Sequence, residues 1–284
     1  MKLQVALALV GLVGSVVAEE KFVAPIELDY HHAIGIPAAT RIKEAEEALD
    51  FNDAKIVGGA ATRLGQYPFL GGLLIRLNTG DNSVCGSSLL SNTRAVTAGH
   101  CVLTNDAQAV EFTIVLGSTR LYSGGTRVTT RDAEVHAEYN TNTLTNDVAI
   151  IGFNWVTYTD NIYNIELASG TNQFVGTWAW AAGFGHTTDN SKIEYNQFLS
   201  DVQVRVITNA ECQATFGYGI QDTNICIATD GGHGTCYGDS GGPLVANGQL
   251  IGITSFGNSD GCELGYPVAF SRVTAYFSWI QTRL

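Results

Sequence analysis

The stretch GTCYGDSGGPL, residues 234–244, sets Ser240 among Gly238, Gly241 and Gly242, with Asp239 immediately before it. No large side chain crowds that hydroxyl, and glycine lets the backbone turn its amides toward whatever approaches. Such a setting suits a nucleophile and equally suits a tight turn. A serine hydroxyl becomes a useful nucleophile only when a neighbouring imidazole takes its proton, and the imidazole in turn needs a buried carboxylate to fix its tautomer. His100, in AVTAGHC, follows a strand-like run and abuts Cys101; Asp147, in TNDVAII, is a lone carboxylate entering an apolar strand. Each also has a plainer reading, as a histidine packed beside a cystine and as an Asn-Asp turn before a strand.

The elements that must position these residues are short. GDSGG also satisfies the G-x-S-x-G elbow of an α/β-hydrolase, but that fold places its histidine after the serine. All six histidines here (His31, His32, His100, His136, His186 and His233) precede Ser240, which excludes it. Runs such as FLGGLLIRL, RAVTAGH, FTIVLG, DVAIIGF, TWAWAAGFG, SDVQVRVI and GQLIGITSFG, punctuated by Gly, Asn, Thr and Asp, form an all-β signature. Only the tail differs. Val273, Tyr276, Phe277, Ile280 and Leu284 recur at helical spacing and predict a closing amphipathic helix.

The chain of 284 residues carries a formal charge of -12 and no basic run, so a nucleic-acid backbone would be repelled. MKLQVALALVGLVGSVVA, residues 1–18, reads as a secretory signal cleaved after Ala18, too short to span a membrane. No later run is apolar for long enough to do so, which points to an exported, soluble product. Residues 19–55 hold nine acidic and four basic residues and no cysteine. Part of that stretch, ATRIKEAEEALDF, could form a helix, and the whole is expected to be a solvated pro-region, not a domain. Export places Cys85, Cys101, Cys212, Cys226, Cys236 and Cys262 in an oxidising compartment, where an even set forms disulfides. Spacing leaves their pairing open and matches no structural zinc site. No metal or cofactor is expected. The loop STRLYSGGTR lacks the carboxylates of a calcium site.

Taken together, IVGG at 56–59, TAGHC at 97–101, NDVAI at 146–150 and GDSGGPL at 238–244 resemble the trypsin and chymotrypsin family of serine proteases, in that family's order of His, Asp and Ser. The likeness runs over residues 56–284 and implies two six-stranded antiparallel barrels with a C-terminal helix. It implies His100 as general base, Asp147 as its orienting carboxylate, Ser240 as nucleophile, and the amides of Gly238 and Ser240 as the oxyanion hole. It pairs Cys85 with Cys101, Cys212 with Cys226 and Cys236 with Cys262. It further implies a zymogen: cleavage after Lys55 by a trypsin-like protease frees the amine of Ile56, which turns inward to Asp239.

For specificity, the resemblance puts Gly234 at the pocket floor, Gly257 at its entrance and Val268 on its wall. An uncharged floor disfavours a Lys or Arg substrate side chain. Chymotrypsin-like cleavage after large apolar or aromatic residues is expected, with elastase-like or collagenolytic preference as alternatives; a catalytically inactive binding homologue is a further alternative, disfavoured because His100, Asp147 and Ser240 all stand in their motifs. GCELGYP is similar to arthropod digestive proteases. The expected partners are protein and peptide substrates, the activating protease and protein inhibitors, with no nucleic acid or membrane, and the enzyme is expected to be a monomer. From residue 56 onward the chain has nine arginines and one lysine, Lys192, a bias that keeps positive charge in alkaline fluid such as a gut lumen.

Overall fold

The computed structural model describes residues 23–51, 63–186, 199–232 and 234–284; the stretch 1–18, Lys55, Ile56, Lys192 and His233 lie outside the described residues. Seven strands form the first sheet: β1 (Leu70–Leu77), β2 (Asn82–Ser91), β3 (Arg94–Thr97), β4 (Ala109–Leu116), β5 (Thr126–Thr130), β6 (Asp132–Val135) and β7 (Ala149–Gly152), in the order β5-β4-β1-β2-β3-β7-β6. Only Arg131 separates β5 from β6, so the two are one strand bent at that residue, pairing with β4 before the bend and with β7 after it. The bend closes the sheet into a six-stranded antiparallel barrel. The Thr130 hydroxyl pins it by donating to the Gly152 carbonyl at 2.7 Å.

The second sheet comprises β8 (Glu166–Leu167), β9 (Trp178–Gly183), β10 (Ser200–Ile207), β11 (Asn224–Ala228), β12 (Pro243–Ala246), β13 (Gln249–Phe256) and β14 (Val268–Arg272). Its order is β12-β9-β10-β11-β14-β13-β8, and β12 pairs with β13 as well, closing a second ring of six strands. The two-residue β8 is an addition, lying parallel to β13. Alternation explains the cores. In SDVQVRVI, Val204 and Val206 turn inward to Ala179, Ala181 and Ile225, while Gln203 before them is exposed and Arg205 between them is half-buried. In the first barrel Leu73, Ile75, Leu89, Phe112, Ile114 and Ile151 are essentially inaccessible to water. Each such side chain contributes about 1.5–3 kcal/mol by burial.

Helix α2 (Asn209–Phe216) starts at Thr208, whose hydroxyl accepts from the Glu211 amide while Glu211 reaches back to the Thr208 amide. The closing helix α3 (Val273–Gln281) buries Val273, Tyr276 and Ile280 against the first barrel's core, although it belongs in sequence to the second. It therefore clips the two barrels together. Leu284, grouped with this face from its spacing, lies past the helix end and is exposed. Disulfides join Cys85 to Cys101, Cys212 to Cys226 and Cys236 to Cys262.

The expectation of a solvated pro-region is corrected by the structure. Residues 23–48 lie against the barrels, with Ala24, Tyr30, His31, Ala38, Ala39, Ile42, Ala45 and Glu46 buried. A π-helical turn, His31–Gly35, leads into helix α1 (Ile36–Phe51), which begins earlier than ATRIKEAEEALDF alone suggests. Ala38, Ala39, Ile42 and Ala45 form one helical stripe. Their small side chains give a weak apolar signal that the surrounding charges hide. The first three close over Leu70, Val84, Leu121 and Phe184.

Candidate active site

Strand β3 delivers His100. Ala95, Val96 and Thr97 are fully buried, and the chain then turns through a short 3-10 helix, Gly99–Cys101. Two ties hold that turn to β2: the Cys85–Cys101 disulfide, and the Thr97 hydroxyl donating to the Gly86 carbonyl at 2.8 Å. Asp147 stands at the mouth of β7, just after Asn146, whose φ of 55° lies in the left-handed region that asparagine tolerates. The Ser240 carbonyl accepts from the Gly86 amide at 2.7 Å, so the serine turn of the second barrel is bonded directly to the β2 strand that holds the histidine turn. Gly241 makes this approach possible. At its φ of 78° a side chain would be strained, and a Cβ would run into the Thr97 hydroxyl and the Gly86 carbonyl.

The Asp147 carboxylate is completely buried and saturated with donors. Oδ1 accepts the backbone N–H of His100 at 2.8 Å, while Oδ2 lies 2.8 Å from His100 Nδ1 and also accepts the Ser255 hydroxyl. Burial alone would raise its pKa, but the adjacent His100 and these hydrogen bonds hold it below the usual carboxylate value. Asp147 is therefore charged at neutral pH and fixes Nδ1–H on the imidazole, leaving Nε2 as the ring's free lone pair. Nε2 is buried and has no hydrogen-bond partner among the described residues. His100 and Ser240 line one cavity with Thr235, Tyr237, Gly257 and Val268. Ser255 carried no mark in the sequence, since GITSFG reads only as strand. The sulfurs of Cys85 and Cys101 cluster with His100, but they are bonded to each other and offer no thiolate to a metal.

The residues singled out around the serine separate into two places. Gly238 has φ +101°, a conformation closed to other residues, and its amide and that of Ser240 are engaged by no other described group. Gly257 and Val268 both line the cavity and lie side by side, a Cβ on Gly257 falling 3.5 Å from Val268. Gly234 does not line that cavity. It borders a neighbouring depression with Ala181, Gly183, His186 and Asp239, and among the described residues only Thr235 is shared. Tyr237 is partly buried beside the cavity and donates to the Ser259 carbonyl at 3.3 Å.

Asp239 points away from Ser240, into backbone that only glycine allows; a Cβ at Gly183 or Gly185 would collide with its carboxylate. It accepts from the amides of Gly185 and Cys236 at 2.8 and 3.0 Å, and among the described residues no cation pairs with it. Burial pushes its pKa up to about 6 in spite of those amides. Because the folded pKa exceeds the unfolded one, this group's contribution is fully present below about pH 4 and is lost as pH rises through about 6. The uncut chain is expected to lose on the order of 2 kcal/mol from this source across that interval. Thermal melts of wild type and Asp239→Asn should diverge there, the variant's curve being flatter; parallel curves would refute the assignment.

A tyrosine that no motif marks is laid into this site. The Tyr30 ring centroid is 4.6 Å from that of His100, and its hydroxyl donates to the Val84 carbonyl at 2.7 Å. Burial drives the phenol's pKa far up, with the Ser240 hydroxyl acting on it in the opposite sense. Beside it, His31 is fully buried with Nδ1 2.9 Å from the Ser83 hydroxyl; burial, then nearby His100, lower its pKa to about 3, so it stays neutral. The only sequence signal for either was an aromatic and apolar run, PIELDYHHAIGIP, within an acidic stretch.

Comparison with known proteins places this geometry. Residues 56–280 match the family model described as Trypsin. The collagenase of Hypoderma lineatum is 36% identical over 256 residues, covering 95% of that protein and 88% of this chain, so the likeness reaches ahead of Ile56. Brachyurin of Leptuca pugilator is 41% identical over 232 residues, covering 98% of it and 80% of this chain. Serine protease 1 of Drosophila melanogaster is 39% identical over 234 residues, covering 84% of it and 80% of this chain. The solved structure of HL collagenase aligns with a TM-score of 0.73 at 38% identity, over 98% of its own length and 80% of this chain. With a match that runs nearly end to end along these relatives and over the same paired barrels, the chain belongs to the trypsin family and is a serine endopeptidase acting on proteins.

Proposed function

We propose that this endopeptidase is secreted as a zymogen and cleaves proteins through an acyl-enzyme on Ser240. The buried Asp147–His100 pair facing the same cavity as Ser240 is the observation that carries the reading. As substrate enters, the Ser240 hydroxyl attacks the scissile carbonyl and His100 Nε2 takes its proton. Asp147 stabilises the imidazolium, and the amides of Gly238 and Ser240 receive the charge that develops on the carbonyl oxygen. His100 then gives its proton to the departing amine. Water, deprotonated by the same nitrogen, releases the acyl group and restores the hydroxyl.

Residues 1–18 would direct export, and residues 19–55 would form the pro-segment removed by cleavage after Lys55. The new Ile56 amine would then pair with Asp239, whose raised pKa marks a carboxylate still lacking a counter-charge. Pairing would draw in the loop that carries Gly238. Labelling by a fluorophosphonate probe tests the core of this scheme: the cut enzyme should label and its Ser240→Ala form should not, while equal labelling of both would end it.

For specificity, Gly257 leaves room in the cavity and Val268 limits its depth, which supports cleavage after Phe, Tyr, Leu or Met; the nine arginines against one lysine from residue 56 onward support a digestive setting such as an alkaline gut lumen. Replacing Val268 with glycine should shift kcat/KM toward Trp and Tyr over Leu by about tenfold, the scale of a few methylenes in an apolar pocket. Profiling a peptide library with both enzymes reads this directly, and unchanged ratios would remove Val268 from the pocket. The relatives called collagenase favour a second reading, collagenolytic cleavage, which an assay on triple-helical collagen decides.

A further inference from the structure

The stretch ahead of the barrels touches them at three separate places. Its main chain runs along the cleft wall, the Ala24 amide donating to the Thr215 carbonyl at 2.8 Å and the Ser259 amide to the Pro25 carbonyl at 3.0 Å. Glu27, Leu28, Tyr30 and Ile34 then line the cavity that holds His100 and Ser240. Beyond the cleft, α1 lays its alanine stripe and Ile42 on Leu70, Val84, Leu121 and Phe184, and the Tyr122 hydroxyl donates to the Ala39 carbonyl at 3.0 Å. Finally Glu46, 2% exposed, accepts from the amides of Leu121 and Tyr122 and from the Ser123 hydroxyl. This loop belongs to the run STRLYSGGTR, which has no carboxylate of its own. Here it receives one from another part of the chain.

These contacts differ in kind from the ordinary zymogen block, in which the uncut terminus leaves the site unassembled. A phenol over the imidazole presents no acyl carbon to Ser240, so Tyr30 sits where substrate must go without being a substrate itself. The Glu46 contact lies outside the cleft and is made by groups that belong to the protease domain. We propose that residues 23–48 are a ligand of that domain in their own right: once cut away, the segment rebinds and inhibits, Tyr30 blocking the cleft and Glu46 anchoring α1 at residues 121–123. The segment contains no cysteine to tether it, so after cleavage it acts by its own affinity. The same loop is then an exosite for an acidic side chain carried on an amphipathic helix.

This proposal rests on cleavage after Lys55 producing active enzyme, so the experiment checks that first. Enzyme activated by a trypsin-like protease and freed of the pro-segment is titrated at its active serine, then assayed on a small chromogenic peptide with synthetic peptide 23–51 added. An isolated helix of this length is marginal in water, so ordering it on binding costs affinity; competitive inhibition in about the micromolar range is expected. Tyr30→Ala should weaken inhibition about tenfold or more. Glu46→Gln should also weaken it about tenfold although it touches nothing in the cleft, since a charged acceptor is withdrawn from three donors, the Leu121 amide buried and the Tyr122 amide and Ser123 hydroxyl half-buried. Fluorescence anisotropy with Ser240→Ala enzyme reads the same affinities without turnover. On titratable enzyme, no inhibition at about 100 µM wild-type peptide overturns the proposal, and equal binding by the Glu46→Gln peptide overturns the exosite. Enzyme that cannot be titrated overturns the activation scheme and this proposal with it.

Discussion

Asp147→Asn is expected to lower kcat/KM of the cut enzyme about ten-thousand-fold while leaving the fold and KM nearly intact. The structure supplies the reason. Oδ1 of Asp147 faces the backbone N–H of His100, a donor that cannot be turned around. An asparagine must therefore put its oxygen there, which leaves its NH2 at the Oδ2 position, between His100 Nδ1 and the Ser255 hydroxyl. Serine can accept from that group, but the imidazole can do so only by giving up its proton at Nδ1 and carrying it on Nε2. That is the nitrogen that must take the proton of Ser240. The ring stays in place with the wrong tautomer. The companion change Ser240→Ala, which removes the nucleophile itself, should cost about a million-fold in kcat, leaving whatever the amides of Gly238 and Ser240 contribute. Steady-state kinetics on a small ester or amide, with KM separated from kcat, checks both. Losses below about a hundredfold for either would remove that residue from the chemistry.

Uncut Lys55→Gln protein is expected to hydrolyse a small substrate at least about a hundred- to a thousandfold more slowly than the cut wild type. Leaving one partner of a buried ion pair alone typically costs about 3–5 kcal/mol, and each 1.36 kcal/mol is tenfold in rate. In the proposed activation scheme Asp239, with its pKa up at about 6, would be that partner. The segment over the cleft adds a second block, because Tyr30 occupies the face of His100. The two can be told apart. Tyr30→Ala in the uncut Lys55→Gln chain should admit a fluorophosphonate probe faster than the parent, yet leave peptide hydrolysis low, because Asp239 is still unpaired. Full activity from the uncut Lys55→Gln chain would refute the activation scheme, and identical probe kinetics would place Tyr30 outside the block.

Much of the architecture was legible in local pattern. Alternation in SDVQVRVI and the apolar run of DVAIIGF marked strands because a pleated strand sends successive side chains to opposite faces. The spacing of Val273, Tyr276 and Ile280 marked the closing helix, and all three are buried. His100, Asp147 and Ser240 stood out for a different reason: each interrupts its segment with a polar group where the flanking residues demand burial or a tight turn. Other features had no such signature. Ser255 looks like any serine in a strand until the fold turns its hydroxyl toward Asp147, 108 residues earlier in the chain. Gly234 and Val268 were linked to one pocket, whereas the structure puts them on adjoining cavities.

What the sequence determined by itself is the set of periodicities and turn residues that commits this chain to short β-strands and a final helix, together with the three residue types able to move an acyl group. Those depend on neighbours within a few positions. The closure of the strands into two barrels was implied only by the family resemblance. Tertiary structure alone decided that an acidic stretch would be buried, since the donors that make Glu46 tolerable lie 75 to 77 residues away in sequence. It also decided that Tyr30 would cover His100, 70 residues on. A charge reads as solvated until the fold brings N–H groups to it, because the cost of burial is set by partners and not by the side chain that is buried.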